Sequence, residues 1–151
     1  MIYFLDTSAL LKRYVAEEGS EYIRRRLGLP HLSFHQSFLT PLEVTSALYR
    51  QHRAGLLSAE ELTQVLNAYT VHTREQYATI PHSNHLMSQA AALIVRHPLR
   101  TLDAIQLAAA LSLRTSLPGD APPFTFLSAD DRLVAVARRE HLLTDNPNDH
   151  P

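Results

Sequence analysis

The chain has 151 residues, no cysteine, and 14 Lys+Arg against 15 Asp+Glu, a formal net charge of −1. That length fits one domain with a full core. The absence of cysteine excludes a disulfide scaffold, thiolate zinc sites, iron–sulfur clusters and a cysteine nucleophile. The balanced charge removes the argument for nucleic acid that starts from a basic domain, although local clustering matters more than the sum. No apolar run approaches the roughly 20 residues of a membrane span, and no basic segment precedes the apolar N-terminus, so a soluble, cytoplasmic protein without a membrane role is expected.

Ile2-Tyr3-Phe4-Leu5 is an unbroken apolar, β-rich run that stops at Asp6-Thr7-Ser8. Such a run suits a strand buried on both faces, as in a parallel sheet. Helical spacing follows through Ala9, Leu10, Tyr14 and Val15, with Lys12 (the only lysine) and Arg13 facing out. A second helix starts near Gly19-Ser20, turns Tyr22, Ile23 and Leu27 inward and ends at Gly28; its Arg24-Arg25-Arg26 reads as a solvated face. His31 to Leu39 reads as a strand, and Pro41 sits well in the first turn of a helix over Leu42–His52, closed by Gly55. Ser58 and Glu61 form a capping box that opens a helix to about Gln76. Ala78-Thr79-Ile80 is a short strand, and His82–Arg96 a helix closed by His97-Pro98. Thr101 caps the strongly apolar helix Leu102–Leu113. Phe124-Thr125-Phe126-Leu127 is a second apolar β-run, and Ser128-Ala129-Asp130-Asp131 leads into a helix through Arg139, with Ser128 and Asp131 as its capping box. Residues 1–145 are read as one domain and 146–151 as a frayed polar tail. Strands alternating with helices predict an α/β fold with a parallel sheet covered on both faces, whose ligands bind beyond the carboxyl ends of the strands.

Most acidic residues lie among polar neighbours on helix surfaces or in loops. Asp6, Glu43, Asp103, Asp130 and Asp131 instead adjoin apolar sequence. Asp6 follows a core strand directly, and Asp130 lies three residues beyond another. Glu43 and Asp103 occupy first helical turns. Each has a local explanation, as a helix cap or as an acid at a positive dipole end, and Ser128 accounts for Asp131. Together, two strand ends and two helix starts bring carboxylates to one edge of a parallel sheet. Crowded carboxylates hold protons unless a cation compensates them. A hard divalent ion with oxygen ligands is the natural compensator, and its chemistry is phosphodiester hydrolysis by metal-activated water.

FLDTSALLKRY at the start, TPLEVTSAL around Glu43, RTLDAIQLAAAL around Asp103 and FLSADDRLVAVAR around Asp130 resemble, in order and spacing, the four signature segments of PIN-domain proteins. Within that group the chain is most similar to VapC-type toxins of bacterial type II toxin–antitoxin pairs, down to a C-terminal LLTDNP like their last strand. The resemblance implies a three-layer α/β/α sandwich around a parallel sheet of about five strands. It also implies an endoribonuclease dependent on Mg²⁺, or Mn²⁺. Carried over, Asp6, Glu43, Asp103 and Asp130 are the catalytic and metal-binding quartet, with Asp6 and Asp103 as direct ligands. Glu43 binds directly or through water, or orients the nucleophile, and Asp131 is a possible substitute for Asp130. A hydroxyl of Thr7 or Ser8 is expected to hydrogen-bond within the site. The implied partners are RNA, a cognate VapB-type antitoxin covering the active-site groove, and a second copy in a homodimer.

Two other readings compete. Phosphoryl transfer through Asp6 lacks a second Asp two positions on, a well-placed lysine and a glycine-rich phosphate loop. A catalytically degenerate domain serving as a protein- or RNA-binding module is expected to lose one of the four acids, and all four are present. Arg100, three residues before Asp103, is placed to meet a phosphate or a neighbouring acid. His82, His85 and His97 are read as surface or interface residues.

Overall fold

A computed structural model describes residues 1–150. Five strands run β1 (Ile2–Leu5), β2 (Ser33–Ser37), β3 (Tyr77–Ile80), β4 (Phe124–Leu127) and β5 (Leu143–Asp145). The helices are α1 (Thr7–Leu11), α2 (Ser20–Leu27), α3 (Thr40–Arg53), α4 (Ala59–Glu75), α5 (Asn84–Arg96), α6 (Thr101–Ser116) and α7 (Asp131–Arg139). The strands form one all-parallel sheet in the order β3-β2-β1-β4-β5. β1 is the central strand, and the chain fills one side of it with β2 and β3 and the other with β4 and β5. The expected three-layer sandwich is the fold observed.

The apolar run of β1 explains its position. Ile2 and Phe4 belong to a core shared with α5, α6 and α7, while Tyr3 and Leu5 belong to another shared with α1 to α4. A central strand has helices on both faces, so alternating polarity would strand a polar group in one core. Phe4 sits opposite Phe126 of β4 in register, with ring centroids 5.8 Å apart. In α6, Ala104, Ala108, Ala109 and Ala110 are fully buried. Their small side chains let this helix lie close to its neighbours.

Local signals that act within a few residues hold well. Ser58 and Glu61 exchange the two hydrogen bonds of a capping box at α4. Pro41 occupies the first turn of α3, and Tyr22, Ile23 and Leu27 face inward from α2. Other expectations are corrected. Lys12 is buried, with 5% of its surface exposed, because α1 stops at Leu11 and the chain turns there. Its ammonium donates to the Glu18 carbonyl at 2.8 Å and pairs with Glu17 at 3.2 Å. Thr101 is the first residue of α6, and Arg100 occupies the cap position without a side-chain bond. At α7 the cap is Asp130, whose Oδ1 accepts from the backbone N–H groups of Arg132 (2.8 Å) and Leu133 (3.2 Å). Ser128 makes no capping box, because its hydroxyl turns back to Asp6.

Residues 146–150, expected to belong to a frayed tail, are held by side-chain contacts. Asn146 is buried and donates to Asp131 Oδ1 at 2.7 Å, Pro147–Asp149 form one 3₁₀ turn, and His150 stacks on Tyr22 with centroids 4.0 Å apart. The turn lies against Gly19, whose φ is +76°. A Cβ there would stand 2.5 Å from the Pro147 carbonyl oxygen, so glycine meets both a backbone requirement and a close approach. The polar side chains that make this tail look solvated are the ones that tie it down. Pro151 lies outside the described residues.

Candidate active site

Asp6 begins where β1 ends. Its backbone N–H donates to the Leu127 carbonyl at 2.9 Å, which fixes it beside the end of β4. Its side chain is the N-cap of α1 and is 5% exposed. Three donors converge on Oδ2: the Ser8 backbone N–H at 3.2 Å, the Ser8 hydroxyl, and the Ser128 hydroxyl at 3.0 Å. Oδ1 takes no hydrogen bond from the described residues and is left for the cleft. Burial pushes this carboxyl up to about 6; the two serine hydroxyls counter part of the rise, and the nearby Glu43 charge adds to it.

Glu43 projects from the first turn of α3, where the helix dipole favours an acid. Its Oε2 accepts from the Thr7 hydroxyl at 2.7 Å and from the side-chain amide of Gln106. Asp103 projects from the first turn of α6 and is partly buried. Burial raises its pKa and the charge of Asp130 adds to the rise, with Arg100 and Arg132 opposing. Asp130 uses Oδ1 to cap α7, and its Oδ2 lies 3.8 Å from the Arg132 guanidinium.

All four acids line one cleft of about 520 Å³ at the carboxyl end of β1, closed on its apolar side by Leu39, Leu42 and Leu102. Arg50 and Arg100 also line it. The acids fall into two pairs, Asp6 with Glu43 and Asp103 with Asp130, each coupled through charge. Among the described residues, no three acids or imidazoles converge tightly enough to enclose an ion. The available donors are carboxylate and hydroxyl oxygens, the set that a hard cation takes, and Mg²⁺ is habitually held by one or two carboxylates with water or substrate completing its shell. The donor chemistry therefore fits a divalent ion in the cleft, whose charge would offset the cost of ionising carboxylates that burial, and to a lesser degree their acidic neighbours, hold above their ordinary values.

Asp6, Glu43, Asp103 and Asp130 all line this cleft, as do Thr7 and Ser8. Thr7 and Ser8 both hydrogen-bond within it, to Glu43 and Asp6 respectively. Asp131 does not: its carboxylate is exposed and takes Asn146. His97 bonds Glu140 at 2.6 Å, His82 packs edge-on against Phe38, and His85 is exposed on α5. Sequence reasoning missed four contributors: Gln106, Ser128, Thr40 and Arg50. Only Gln106 left a signal, as the one amide in the apolar segment IQLAAAL.

No curated protein matches the chain in sequence. Among solved structures it resembles a chain of VapBC2 from Rickettsia felis, bound to a promoter DNA fragment, at 14% identity and TM-score 0.66 over 97% of this chain and 98% of that one. It resembles VapBC-1 from nontypeable Haemophilus influenzae at 18% identity and TM-score 0.64, covering 97% and 98%. It also resembles VapC20 of Mycobacterium tuberculosis, a sarcin–ricin loop cleaving toxin, at 16% identity and TM-score 0.62, covering 88% and 93%. At these identities the likeness is one of fold. The PIN-domain model matches residues 3–139, which takes in all four acids at the sheet edge, and the chain belongs to the PIN-domain family.

Proposed function

We propose that this protein is an endoribonuclease dependent on a divalent metal, Mg²⁺ or Mn²⁺, and that it acts as the toxin of a toxin–antitoxin pair. The observation that carries this reading is the cleft that gathers Asp6, Glu43, Asp103 and Asp130 with Arg50 and Arg100. Family membership supports a nuclease, and the fold of toxin–antitoxin chains and of an RNA-cleaving toxin supports the toxin role.

In this reading Asp6, through its free Oδ1, and Asp103 are the direct ligands, and Glu43 and Asp130 complete the acidic set. A bound divalent ion supplies water activation and neutralisation of charge on the phosphoryl oxygens. The chain does the rest. Arg100, at the cap of α6 three residues before Asp103, and Arg50, on α3 with Glu43, offer guanidinium forks to the phosphates flanking the scissile bond. The Ser8 and Ser128 hydroxyls keep Oδ2 of Asp6 occupied, so one oxygen of that carboxylate has a fixed direction. Leu42 and Leu102, both exposed beside the acids, provide apolar surface for bases and exclude water from the floor. RNA as substrate, a VapB-type antitoxin over the groove, a homodimer and a cytoplasmic location all belong to this proposal. No helix among the described residues is long and apolar enough to cross a membrane.

The test is cleavage of total RNA by purified, antitoxin-free protein with Mg²⁺ or Mn²⁺, beside Asp6→Asn and an EDTA control. Cleavage should require both the metal and Asp6. The asparagine variant should lose more than about 100-fold, beyond what the loss of a supporting residue costs. Intact RNA in every arm would leave a binding module of the same fold as the better reading.

A further inference from the structure

Gln106 is 1% exposed, in a helix where Ile105, Leu107 and Ala108 are all buried in the core. An amide is an expensive occupant for such a place unless every polar atom is satisfied. Here one atom is overused and the other idle. Nε2 lies within hydrogen-bond distance of three acceptors: Glu43 Oε2, Thr7 Oγ1 at 3.0 Å and Thr40 Oγ1 at 3.1 Å. Oε1 is buried and meets no donor among the described residues. A side chain selected for stability would have both ends paired or would be a leucine.

The arrangement makes sense from the side of Glu43. Thr7 gives its single hydroxyl proton to Glu43, so toward Gln106 it can only accept. Turning the amide over would set a carbonyl oxygen against the Glu43 carboxylate. The orientation is therefore dictated by the acid, and the Thr40 hydroxyl holds the same nitrogen at 3.1 Å. Gln106 also stands three residues after Asp103, on the same face of α6. One helix thus delivers Asp103 into the cleft and, a turn deeper, clamps the acid that faces it.

Resting on the nuclease reading above, we infer that Gln106, anchored by Thr40, is a positioning residue that fixes the Glu43 carboxylate for divalent-metal binding and so for RNA cleavage. Supporting partners of this kind cost about 10- to 100-fold in metal affinity or activity when removed.

The test compares wild type, Gln106→Met, Glu43→Gln and the double variant. It reads Mn²⁺ affinity by calorimetry on metal-free protein, thermal stability without metal, and RNA cleavage. Gln106→Met should melt within a few degrees of wild type, because the lost donor to Glu43 is offset by removal of the idle buried carbonyl. It should bind Mn²⁺ and turn over RNA about 10- to 100-fold less well, with KM for RNA unchanged. On the Glu43→Gln background the same substitution should weaken Mn²⁺ binding no further, since its effect passes through Glu43. A Gln106→Met protein with wild-type Mn²⁺ affinity and turnover overturns the inference, as does an equal loss on both backgrounds. Should that variant not fold, Thr40→Val and Thr40→Ser decide. The valine should lose Mn²⁺ affinity and the serine keep it, and a valine variant with wild-type affinity overturns the inference. A wild type that neither binds Mn²⁺ nor cuts RNA sinks the nuclease reading and this inference together. An unimpaired Gln106→Met beside an active wild type sinks this inference alone.

Discussion

The two halves of the cleft solve the same electrostatic problem in opposite ways. On the β1 side, Asp6 and Glu43 are braced by five neutral side chains: Ser8 and Ser128 on Asp6, Thr7 on Glu43, and Gln106 with Thr40 behind them. On the far side, Asp103 and Asp130 have no such scaffold. Asp130 is 31% exposed in its side chain, one of its oxygens caps a helix, and the nearest opposing charges are Arg100 and Arg132. Buried donors fix direction and leave the charge uncompensated. Solvent and arginines compensate charge and leave direction loose. An acidic site needs both, and here they are divided between the two walls.

The sharpest way to break this comparison is through pH. Asp6 has its carboxyl raised from an ordinary value of 3.8 to about 6, chiefly by burial. Because the folded value is the higher one, ionisation costs nothing below pH 4 and grows costly between 4 and 6. Above that range it removes up to about 3 kcal/mol of stability. Asp6→Asn should therefore be more stable than wild type at pH 7.5 without metal, with the gap closing as pH falls to 4. Thermal melts across that range check it, and a gap that does not change with pH would place the charge outside the core. Mn²⁺ should narrow the same gap at pH 7.5 by stabilising wild type alone. Substituting Asp103, half in solvent, should give a smaller gap with the same sign.

Ser128 sharpens the contrast from the other direction. Ser128→Ala removes a donor from a buried carboxylate and should cost about 1.5–3 kcal/mol, the usual worth of a hydrogen bond to a charged group. For a chain of this size that is a fall of several degrees in Tm at neutral pH. Below pH 4, where Asp6 is protonated, the loss should shrink. A loss of constant size would mean that Ser128 acts on the loop before α7 and not on Asp6.

The same division separates what was legible in the sequence from what was not. β1 and β4 could be read because a strand buried on both faces must be apolar throughout. The capping box at Ser58 and the proline of α3 could be read because their partners lie within four residues. Asp6 and Asp130 stood out because each follows a core strand, and Glu43 and Asp103 because they open helices beside apolar sequence, whereas setting these four apart from Asp131 needed the resemblance to the family's signature segments. What braces them was not legible. Ser128 carries the local pattern of a capping box with Asp131, yet its hydroxyl goes to a residue 122 positions away. Gln106 meets Glu43 across 63 positions and Thr7 across 99. Such bonds follow from the packing of whole elements, and no short pattern encodes them. Lys12 failed for a related reason: helical spacing was projected past the point where α1 ends. The tail from Asn146 failed because polar composition is read as solvation when the partners lie on distant elements.

The loose wall should yield the smallest effects, in an order set by geometry. Asp130→Ala removes a helix cap and should cost about 1 kcal/mol, whereas Asp130→Asn should cost little, since asparagine caps as well as aspartate. Cleavage should fall in both variants, because neither keeps the carboxylate. Stability and activity thus separate at Asp130, where one oxygen serves the fold and the other the cleft. A Asp130→Asn protein that loses both together would mean that the charge, and not the cap, holds α7 in place. Arg132→Ala lies at the end of the series. Its guanidinium is 73% exposed and 3.8 Å from Asp130, a surface contact of the kind worth well under about 1 kcal/mol. Its melting temperature should stay within a degree or two of wild type. A larger fall would show that this wall is braced after all, with arginine in the place that serine and glutamine take opposite.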